Sequence, residues 1–436
     1  MEPALWMFPV LLLLLLIGIP VAYSLFTVSL VFGILRFGDK AIFQFVSKVQ
    51  DVAGNYILAA VPLFVFMGCM LERAGIAERL FQAFHLWTRK LPGGLAVGSV
   101  LLGVVFAAAS GVVGATETVI GLLAIPIMLS HGYNKSLISG TICGGGSLGT
   151  VIPPSVLVII LAPVADVSVG DLFAGLLFPG LIMAGLFVLY IVVRCAINPS
   201  LAPKAIEAGE IGLWEKLRLT FIALIPPVFL IFTVLGSILL GLATPTEAAA
   251  CGALGTVVLT AINGKLSYTV LSESVMRTLL VTAMILTILL AGNMFAGVFI
   301  ASGGISATND LLASANLSPW ATLLFILFLA FLAGFALDLV SVILVFIPIA
   351  LPLIKPLGFD PVWFCILFLV VIQTSYLTPP MAPSIFYLRA ISPPEITLPH
   401  MYRGVIPFIF LQLATLILVI IFPALALWLP SRLTGF

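Results

Sequence analysis

Two Pro-Pro pairs, Pro153-Pro154 and Pro379-Pro380, interrupt stretches that otherwise have the composition of membrane helices. Each pair lies in a short polar segment, residues 146–155 in the first case and 373–384 in the second. Because proline lacks a backbone donor and cannot continue an α-helix, both stretches are predicted to be broken helices. One pair lies in the first half of the chain and the other at the corresponding place in the second half. Broken helices at matching positions in two halves indicate the binding site of a membrane transporter.

The composition places the chain in lipid. Hydrophobic residues make up 62% of the sequence and charged residues 8%, whereas soluble domains contain about 25% charged residues. Such a chain cannot cover a surface that faces water, and its apolar runs recur from end to end, which leaves no room for a large soluble domain. The net charge is +1 and there is no block of basic residues, so no nucleic-acid partner is predicted.

Five landmarks recur in the same order in both halves, which indicates an internal duplication. Single Gly or Pro matches would mean little, because both residues are common in membrane helices. Here the shift in sequence number is nearly the same for all five. The matched landmarks, each with its shift, are Gly18-Ile19-Pro20 with Ala243-Thr244-Pro245 (225), Gly75-Ile76 with Gly304-Ile305 (229), Leu91-Pro92 with Ser318-Pro319 (227), Ile125-Pro126 with Ile347-Pro348 (222), and the two Pro-Pro pairs (226).

Each half also contains an apolar stretch of about 35 residues with a polar interruption near its middle, at 94–128 and at 319–354. A full membrane span needs about 20 residues, and neither stretch contains a loop at which two full spans could join. Two half-length helices meeting inside the membrane fit better, so we predict two re-entrant hairpins. Irregular backbone at that depth must be buried in protein or line a wet cavity.

The fold class follows from counting these segments. We predict an all-α polytopic membrane protein of two repeats, each with about five membrane crossings and one re-entrant hairpin. Because five is odd, the second repeat is inverted, provided that residues 5–36 form two short helices; one long kinked helix there would change the parity. Basic residues cluster at 73–90 and 194–218, and the positive-inside rule places these segments in the cytoplasm.

The interrupted segments carry the candidate binding residues, since backbone groups at a helix break lack partners within the helix. Free carbonyls bind cations, and helix N-termini bind anions. Sites made only of oxygen atoms with little charge suit sodium. The predicted substrate-binding residues are Ser110, Gly111, Ser155, Gln373, Thr374 and Ser384. The predicted sodium-site residues are Gly114, Thr116, Glu117, Gly146, Ser147, Thr150, Gly334, Asp338, Ser341, Thr378 and Pro379.

Two acids, Glu117 and Asp338, lie inside apolar sequence at the hairpin tips. Intramembrane acids are costly to place and are functional candidates for that reason. They could bind sodium or carry a proton, or they could cap the N-terminus of the second hairpin arm. Glu247, which follows Thr244-Pro245-Thr246, is interpreted as a structural signal for a helix N-terminus.

The sequence resembles the large membrane subunit of TRAP (tripartite ATP-independent periplasmic) transporters over essentially its whole length. The motifs that carry the resemblance are Gly-Leu-Ala-Thr-Pro-Thr-Glu-Ala-Ala-Ala at 241–250, Ile-Pro-Pro-Ser at 152–155, Leu-Thr-Pro-Pro at 377–380, the segment 103–128 with its Ser-Gly tip, and Gly-Phe-Asp-Pro-Val-Trp-Phe at 358–364. Many members carry Ser and Asp at the first tip, and Glu117 stands in place of that Asp here.

The resemblance implies a sodium-driven importer of organic anions in the bacterial inner membrane, with an elevator motion and a fold similar to divalent anion/sodium symporters. It implies a separate small four-helix membrane subunit and a periplasmic binding protein as partners, and sodium as coupling ion without a further cofactor. Segment 373–389 resembles a subgroup linked to 2-oxo and other monocarboxylic acids. The implied division is scaffold and arm helix at 1–93 and 218–317, transport domain at 94–200 and 318–436, and a cytoplasmic linker at 201–217.

Other classes of function fit less well. A channel would need a selectivity filter, whereas two inverted halves favour alternating access. A proton-coupled transporter or exchanger of the same fold, working without a binding protein, remains the alternative and depends on Glu117 and Asp338. No catalytic residues are predicted, because no nucleophile has an evident base partner. The sequence also lacks the G-x-x-x-x-G-K-[ST] motif of a nucleotide-driven pump.

Overall fold

The structure is a computed structural model that describes residues 3–111, 114–203 and 212–433. Every regular element in these ranges is a helix. Eight helical stretches there are long and apolar enough to cross a membrane, which confirms the predicted all-α polytopic class. The α-helices of the first half are α1 (Met7–Leu16), α2 (Val21–Phe37), α3 (Ala41–Ala53), α4 (Ala60–Arg73), α5 (Ile76–Thr88), α6 (Gly94–Ser110), α7 (Ala115–Ser130), α8 (Lys135–Ser147), α9 (Val156–Ala165) and α10 (Val169–Ile197).

From the later part of α14 onward, the second half repeats the order of helices that the first half shows from α4 onward. Its helices are α11 (Leu213–Ile231), α12 (Ser237–Leu239), α13 (Pro245–Ile262), α14 (Tyr268–Ala301), α15 (Gly304–Ser314), α16 (Pro319–Ala333), α17 (Leu339–Ile354), α18 (Pro361–Leu377), α19 (Pro383–Ile391), α20 (Leu398–Ile421) and α21 (Ala424–Leu433). The hairpins are α6–α7 and α16–α17, and the broken helices are α8–α9 and α18–α19. Both Pro-Pro peptide bonds are cis.

Glycines with positive φ start the short helix that precedes each hairpin. Gly75 (φ 69°) comes directly before α5, and Gly303 (φ 83°) comes directly before α15. Only glycine adopts this left-handed backbone without strain. The predicted match of Gly75 with Gly304 is therefore wrong by one residue, since the conformational equivalent is Gly303.

Side-chain caps fix the starts of several helices. Thr244 and Glu247 form a capping box at the start of α13, which confirms the predicted helix N-terminus there. In this motif the Glu247 carboxylate accepts from the Thr244 backbone N–H at 2.8 Å. Asp338 and Asp360 cap α17 and α18 in the same half.

The structure settles the number of helices at 5–36 and shows two differences between the halves. Residues 5–36 form two helices separated around Gly18 (φ 94°), which confirms the two-helix interpretation. Helix α3 was not predicted from the sequence; it is mostly exposed and corresponds to the first part of the uninterrupted α14. The predicted closing span 402–429 is also wrong in extent: α20 ends at Ile421, because Pro423 cannot donate a helix hydrogen bond, and α21 follows.

Glycines allow the broken helices to pack very closely on their neighbours. A Cβ at Gly140 would lie 2.1 Å from the backbone oxygen of Gly404, and a Cβ at Gly404 would lie 2.2 Å from that of Ser136. Helices α8 and α20 are therefore in backbone contact. One continuous core cluster includes both hairpins, both broken helices and residues of α4 and α14, so the hairpin turns are packed within the same core as these two helices.

Candidate functional site

A cavity of about 300 Å³ lies where the two hairpin turns meet the two broken helices. Its lining includes Gly111 and Gly114 of the first turn and Gly334 and Asp338 of the second. Helices α4 and α14 form the opposite wall. The structure thus brings together four of the predicted site residues, two from each half of the sequence.

The first hairpin turn is attached to the first helix break through its backbone. Gly111 (φ 61°) ends α6, and its carbonyl accepts from the Val156 N–H at 3.1 Å. A Cβ at Gly111 would lie 2.6 Å from the Pro154 oxygen, so only glycine fits there. Ser110 and Thr116 are buried on either side of the turn with their hydroxyl oxygens 3.3 Å apart.

The second hairpin turn carries an acid that faces the cavity. Asp338 accepts from the backbone N–H groups of Val340 (3.1 Å) and Ser341 (3.3 Å) and from the Ser341 hydroxyl. The helix-cap interpretation of Asp338 is therefore confirmed. Gly334 lies so close to α18 that a Cβ there would meet the Ser375 hydroxyl at 2.1 Å.

Glu117 joins the first hairpin to both broken helices. Its side chain is fully buried. Its two carboxylate oxygens accept from the Tyr376 hydroxyl (2.9 Å) and the Ser384 hydroxyl (2.7 Å). On its other side it packs on Gly146, whose Cβ, if present, would lie 1.8 Å from the Glu117 Cγ. The helix-cap interpretation of Glu117 is wrong, because its carboxylate bonds to α18 and α19 instead of the N–H groups of α7.

A second polar cluster lies inside the protein, away from the cavity lining. The Ser147 hydroxyl accepts from the side-chain amides of Gln373 (3.3 Å) and Gln412 (3.2 Å) and donates to the Gly144 carbonyl. All three polar side chains are fully buried. Among the described residues, nothing donates to the amide oxygens of the two glutamines.

The remaining predicted residues do not converge on the cavity. The hydroxyls of Thr150, Thr374 and Thr378 each donate to a carbonyl of their own helical segment. Pro379 is half-buried. The Ser155 hydroxyl is buried beside the cavity-lining Val156, and none of the described residues bonds to it. The sodium ligands and substrate residues thus remain predictions. The described residues contain no cluster of three His, Cys, Asp or Glu side chains that could hold a metal ion.

The cavity also contains a cation that was not predicted from the sequence. Arg277 of α14 lines it, and the Arg277 Nη1 donates to the Glu72 carboxylate of α4 at 2.8 Å. Tyr376 and Tyr387 also line the cavity. The signal that could have found Arg277 is a basic residue directly before the apolar segment 278–301; nothing in the sequence connects it to Glu72, which is 205 residues away.

Two related halves, each with a hairpin and a broken helix facing one cavity, define a polytopic membrane protein of the transporter class. The chain belongs to the DctM component family of the tripartite ATP-independent periplasmic transporters, whose family model matches residues 8–425. It is therefore a multi-pass membrane protein of the TRAP large permease type, and the resemblance found in the sequence is confirmed.

Several relatives match along nearly the full chain. The C4-dicarboxylate TRAP transporter large permease protein DctM of Pseudomonas aeruginosa is 30% identical, with 92% of each chain covered. The sialic acid TRAP transporter large permease protein SiaM of Vibrio cholerae is 28% identical, with 97% of each covered. The ectoine TRAP transporter large permease protein TeaC of Halomonas elongata is 29% identical, with 95% of this chain and 96% of that one covered.

One solved structure shares the fold. The YdaH transporter of Alcanivorax borkumensis superposes with a TM-score of 0.65 over 99% of this chain and 100% of its own, at 16% sequence identity. At that identity the likeness shows the fold alone, and the function has to be argued from the site.

Proposed function

We propose that this chain is the large membrane subunit of a sodium-coupled importer of small organic anions in the bacterial inner membrane. A periplasmic binding protein delivers the substrate, and a separate small four-helix membrane subunit completes the transporter. The observation that carries the proposal is the cavity between the two hairpin turns, which contains Arg277 as a cation for an anionic substrate.

The substrate class is supported from two sides. Guanidinium groups bind carboxylates with two parallel hydrogen bonds, so a cavity arginine favours a carboxylate ligand. The relatives also include C4-dicarboxylate and sialic acid transporters, whose substrates are carboxylates. Sodium coupling is supported by the oxygen-rich helix breaks next to the cavity, since sodium is a hard cation that prefers oxygen ligands.

Alternating access by an elevator motion is part of the proposal. The hairpins and broken helices would move as one unit against α4 and α14. Gly68 of α4 contacts the first hairpin turn, and its Cβ, if present, would lie 3.4 Å from the Ser110 Cβ. That separation is close to the usual Cβ···Cβ distance of a disulfide, about 3.5–4.5 Å.

A disulfide between these helices tests the motion. In a background with Cys69 replaced by Ala, the pair Gly68→Cys and Ser110→Cys should block uptake when oxidised and restore it on reduction. The single variants under the same oxidant are the controls. Full uptake with the cross-link formed would refute the elevator motion between these two segments.

Uptake of radiolabelled carboxylates into proteoliposomes tests the function as a whole. The chain is reconstituted with its small membrane subunit, with and without binding protein, under an imposed sodium or proton gradient. We expect uptake only when the sodium gradient and the binding protein are both present. Uptake that is indifferent to the binding protein would overturn the tripartite mechanism.

Proton coupling is the second candidate, and Glu117 is the observation that favours it. This carboxylate is buried between two hydroxyl donors, and no ion pair in the described part of the chain includes it. Buried acids of this kind serve in proton relays. Uptake driven by a proton gradient alone, and abolished by Glu117→Gln together with Asp338→Asn, would establish this candidate in place of sodium.

A further inference from the structure

We propose that the cavity selects monocarboxylates with an apolar body: Arg277 binds the single carboxylate, and Glu72 and Asp338 exclude a second negative charge. The inference rests on the proposed function, because it concerns the same cavity. It assigns a specificity role to an ion pair between α4 and α14, which gives a structural reason for the monocarboxylate preference that the sequence resemblance implies.

The charged groups around the cavity disfavour a ligand with more than one negative charge. Among the described residues that line it, Arg277 is the only cation and Asp338 is an acid. Glu72 bonds directly to Arg277 and adds a second acid. One positive group therefore faces two negative groups. A ligand with one carboxylate can be matched by the guanidinium, whereas a second carboxylate would find no second cation among the described lining residues and would be repelled by Asp338 and Glu72.

Arg277 has free capacity for a carboxylate. A guanidinium has five N–H donors, and the structure assigns one of them, on Nη1, to Glu72. The Arg277 side chain is 43% exposed and that of Glu72 is 16% exposed, so the arginine is the accessible member of the pair. A substrate carboxylate can thus bind the remaining donors while Glu72 holds the guanidinium in place.

The rest of the lining favours an apolar ligand body. Apart from Arg277, the larger side chains that α4, α9 and α14 contribute to the lining are apolar: Val65, Val156, Leu157, Val281, Met284 and Ile285. These side chains offer no hydrogen bond to a second carboxylate, which would lose its hydration without a substitute. They offer favourable contact to an alkyl chain. A volume of about 300 Å³ accommodates a small branched acid.

The chain provides a matched control for the ion pair. Arg73 and Glu273 form a second salt bridge between the same two helices, one position from Glu72 and four positions from Arg277. Neither residue is among the described residues that line the cavity. Glu273→Gln therefore removes the acid of an interhelical ion pair between α4 and α14, with the same change of charge as Glu72→Gln, and leaves Arg277, Glu72 and Asp338 in place.

Ligand binding to the full chain, purified with its small membrane subunit in sodium, tests the inference. The probes are 4-methylpentanoate and the four-carbon pair butyrate and succinate, and the readout is ligand-induced thermal stabilisation over a concentration series. We expect the monocarboxylates to stabilise the protein and succinate to bind at least tenfold more weakly.

The variants separate the two roles. Arg277→Gln should weaken monocarboxylate binding about 10- to 100-fold, the usual range for a charge-assisted hydrogen-bonded contact, and Arg277→Lys should recover part of it. Glu72→Gln should strengthen succinate binding relative to butyrate. Glu273→Gln should leave the preference unchanged. Because the Glu72→Gln result is a gain of binding, it does not depend on whether Arg277→Gln folds.

Several outcomes would overturn the inference. These are equal binding of succinate and butyrate to the unmodified chain, no binding of any of the three acids, or an unchanged preference in Glu72→Gln. Uptake assays distinguish this failure from failure of the proposed function. Succinate uptake that needs sodium and the binding protein would refute the inference alone. Selective monocarboxylate binding without sodium-driven uptake would refute the function alone.

Discussion

Replacing Gly146 with alanine should separate the first hairpin from the first broken helix. The added Cβ would lie 1.8 Å from the Cγ of Glu117 and 2.9 Å from its Cα and Cβ. Rotation of the Glu117 side chain can relieve only the first contact. The other two involve the start of that residue's backbone and side chain, so α7 and α8 must move apart by about half an ångström to reach ordinary carbon contact distances.

The magnitude follows from two opposing effects. Overpacking of this kind typically costs about 1–3 kcal/mol. Alanine is also favoured over glycine within a helix by about 1 kcal/mol, which offsets part of that cost. Gly145 provides the matched control, because the nearest atom to a Cβ there is 3.6 Å away. Gly145→Ala gains the helix propensity without the overpacking, so the two variants should differ by about 1–3 kcal/mol.

Thermal unfolding of the purified complex in detergent measures this difference, and sodium-driven uptake measures its functional effect. We expect a lower unfolding temperature and reduced uptake for Gly146→Ala, and values at or above those of the unmodified chain for Gly145→Ala. Combining Gly146→Ala with Glu117→Ala should recover part of the packing, since the contact with the Glu117 Cγ then disappears. If the two glycine variants unfold at the same temperature, Glu117 does not pack on α8 as described.

Three further substitutions test the buried polar groups and the close helix contacts. Ser384→Ala should lower stability by about 1–3 kcal/mol, because one oxygen of the buried Glu117 carboxylate loses its donor; thermal unfolding with Glu117→Gln as comparison measures this. Gln412→Leu should lower the free energy of unfolding by less than about 1.5 kcal/mol in the same measurement. The lost hydrogen bond to Ser147 is offset because the variant also removes an amide oxygen to which no described residue donates. A larger loss of stability would indicate a partner at that oxygen. Gly404→Ala should prevent accumulation of folded protein, since α8 backbone lies 2.2 Å from the added Cβ, whereas Gly185→Ala meets nothing within 4 Å and should behave as the unmodified chain in detergent gel filtration.

The parts of the fold that depend on backbone chemistry could be predicted from the sequence. Proline positions fixed both helix breaks, and the polar interruptions at 110–118 and 334–341 fixed both hairpin turns, because these residues act within a few positions of themselves. The capping box at Thr244 is local in the same way. The missed helix α3 shows a different limit. Ile42, Phe45, Val46 and Val49 recur at helical spacing, but polar residues separate them, so the segment contains no long apolar run of the kind by which the membrane spans were recognised.

The candidate site was only half predictable for a related reason. The repeat placed Gly111, Gly114, Gly334 and Asp338 at two equivalent turns, and these four residues line one cavity. The opposite wall comes from α4 and α14, where the two halves contact each other without any shared motif.

Arg277 and Glu72 were therefore not predicted from the sequence, although their ion pair supplies the charges nearest the cavity from that wall. Their pairing depends on how two long helices are rotated about their axes, which is set by tertiary packing. In a duplicated transporter the repeated segments reveal where ions and substrate are held. Contacts that the repeat does not duplicate, such as the ion pairs between α4 and α14, are where one member of the family can differ from another in the anion it accepts.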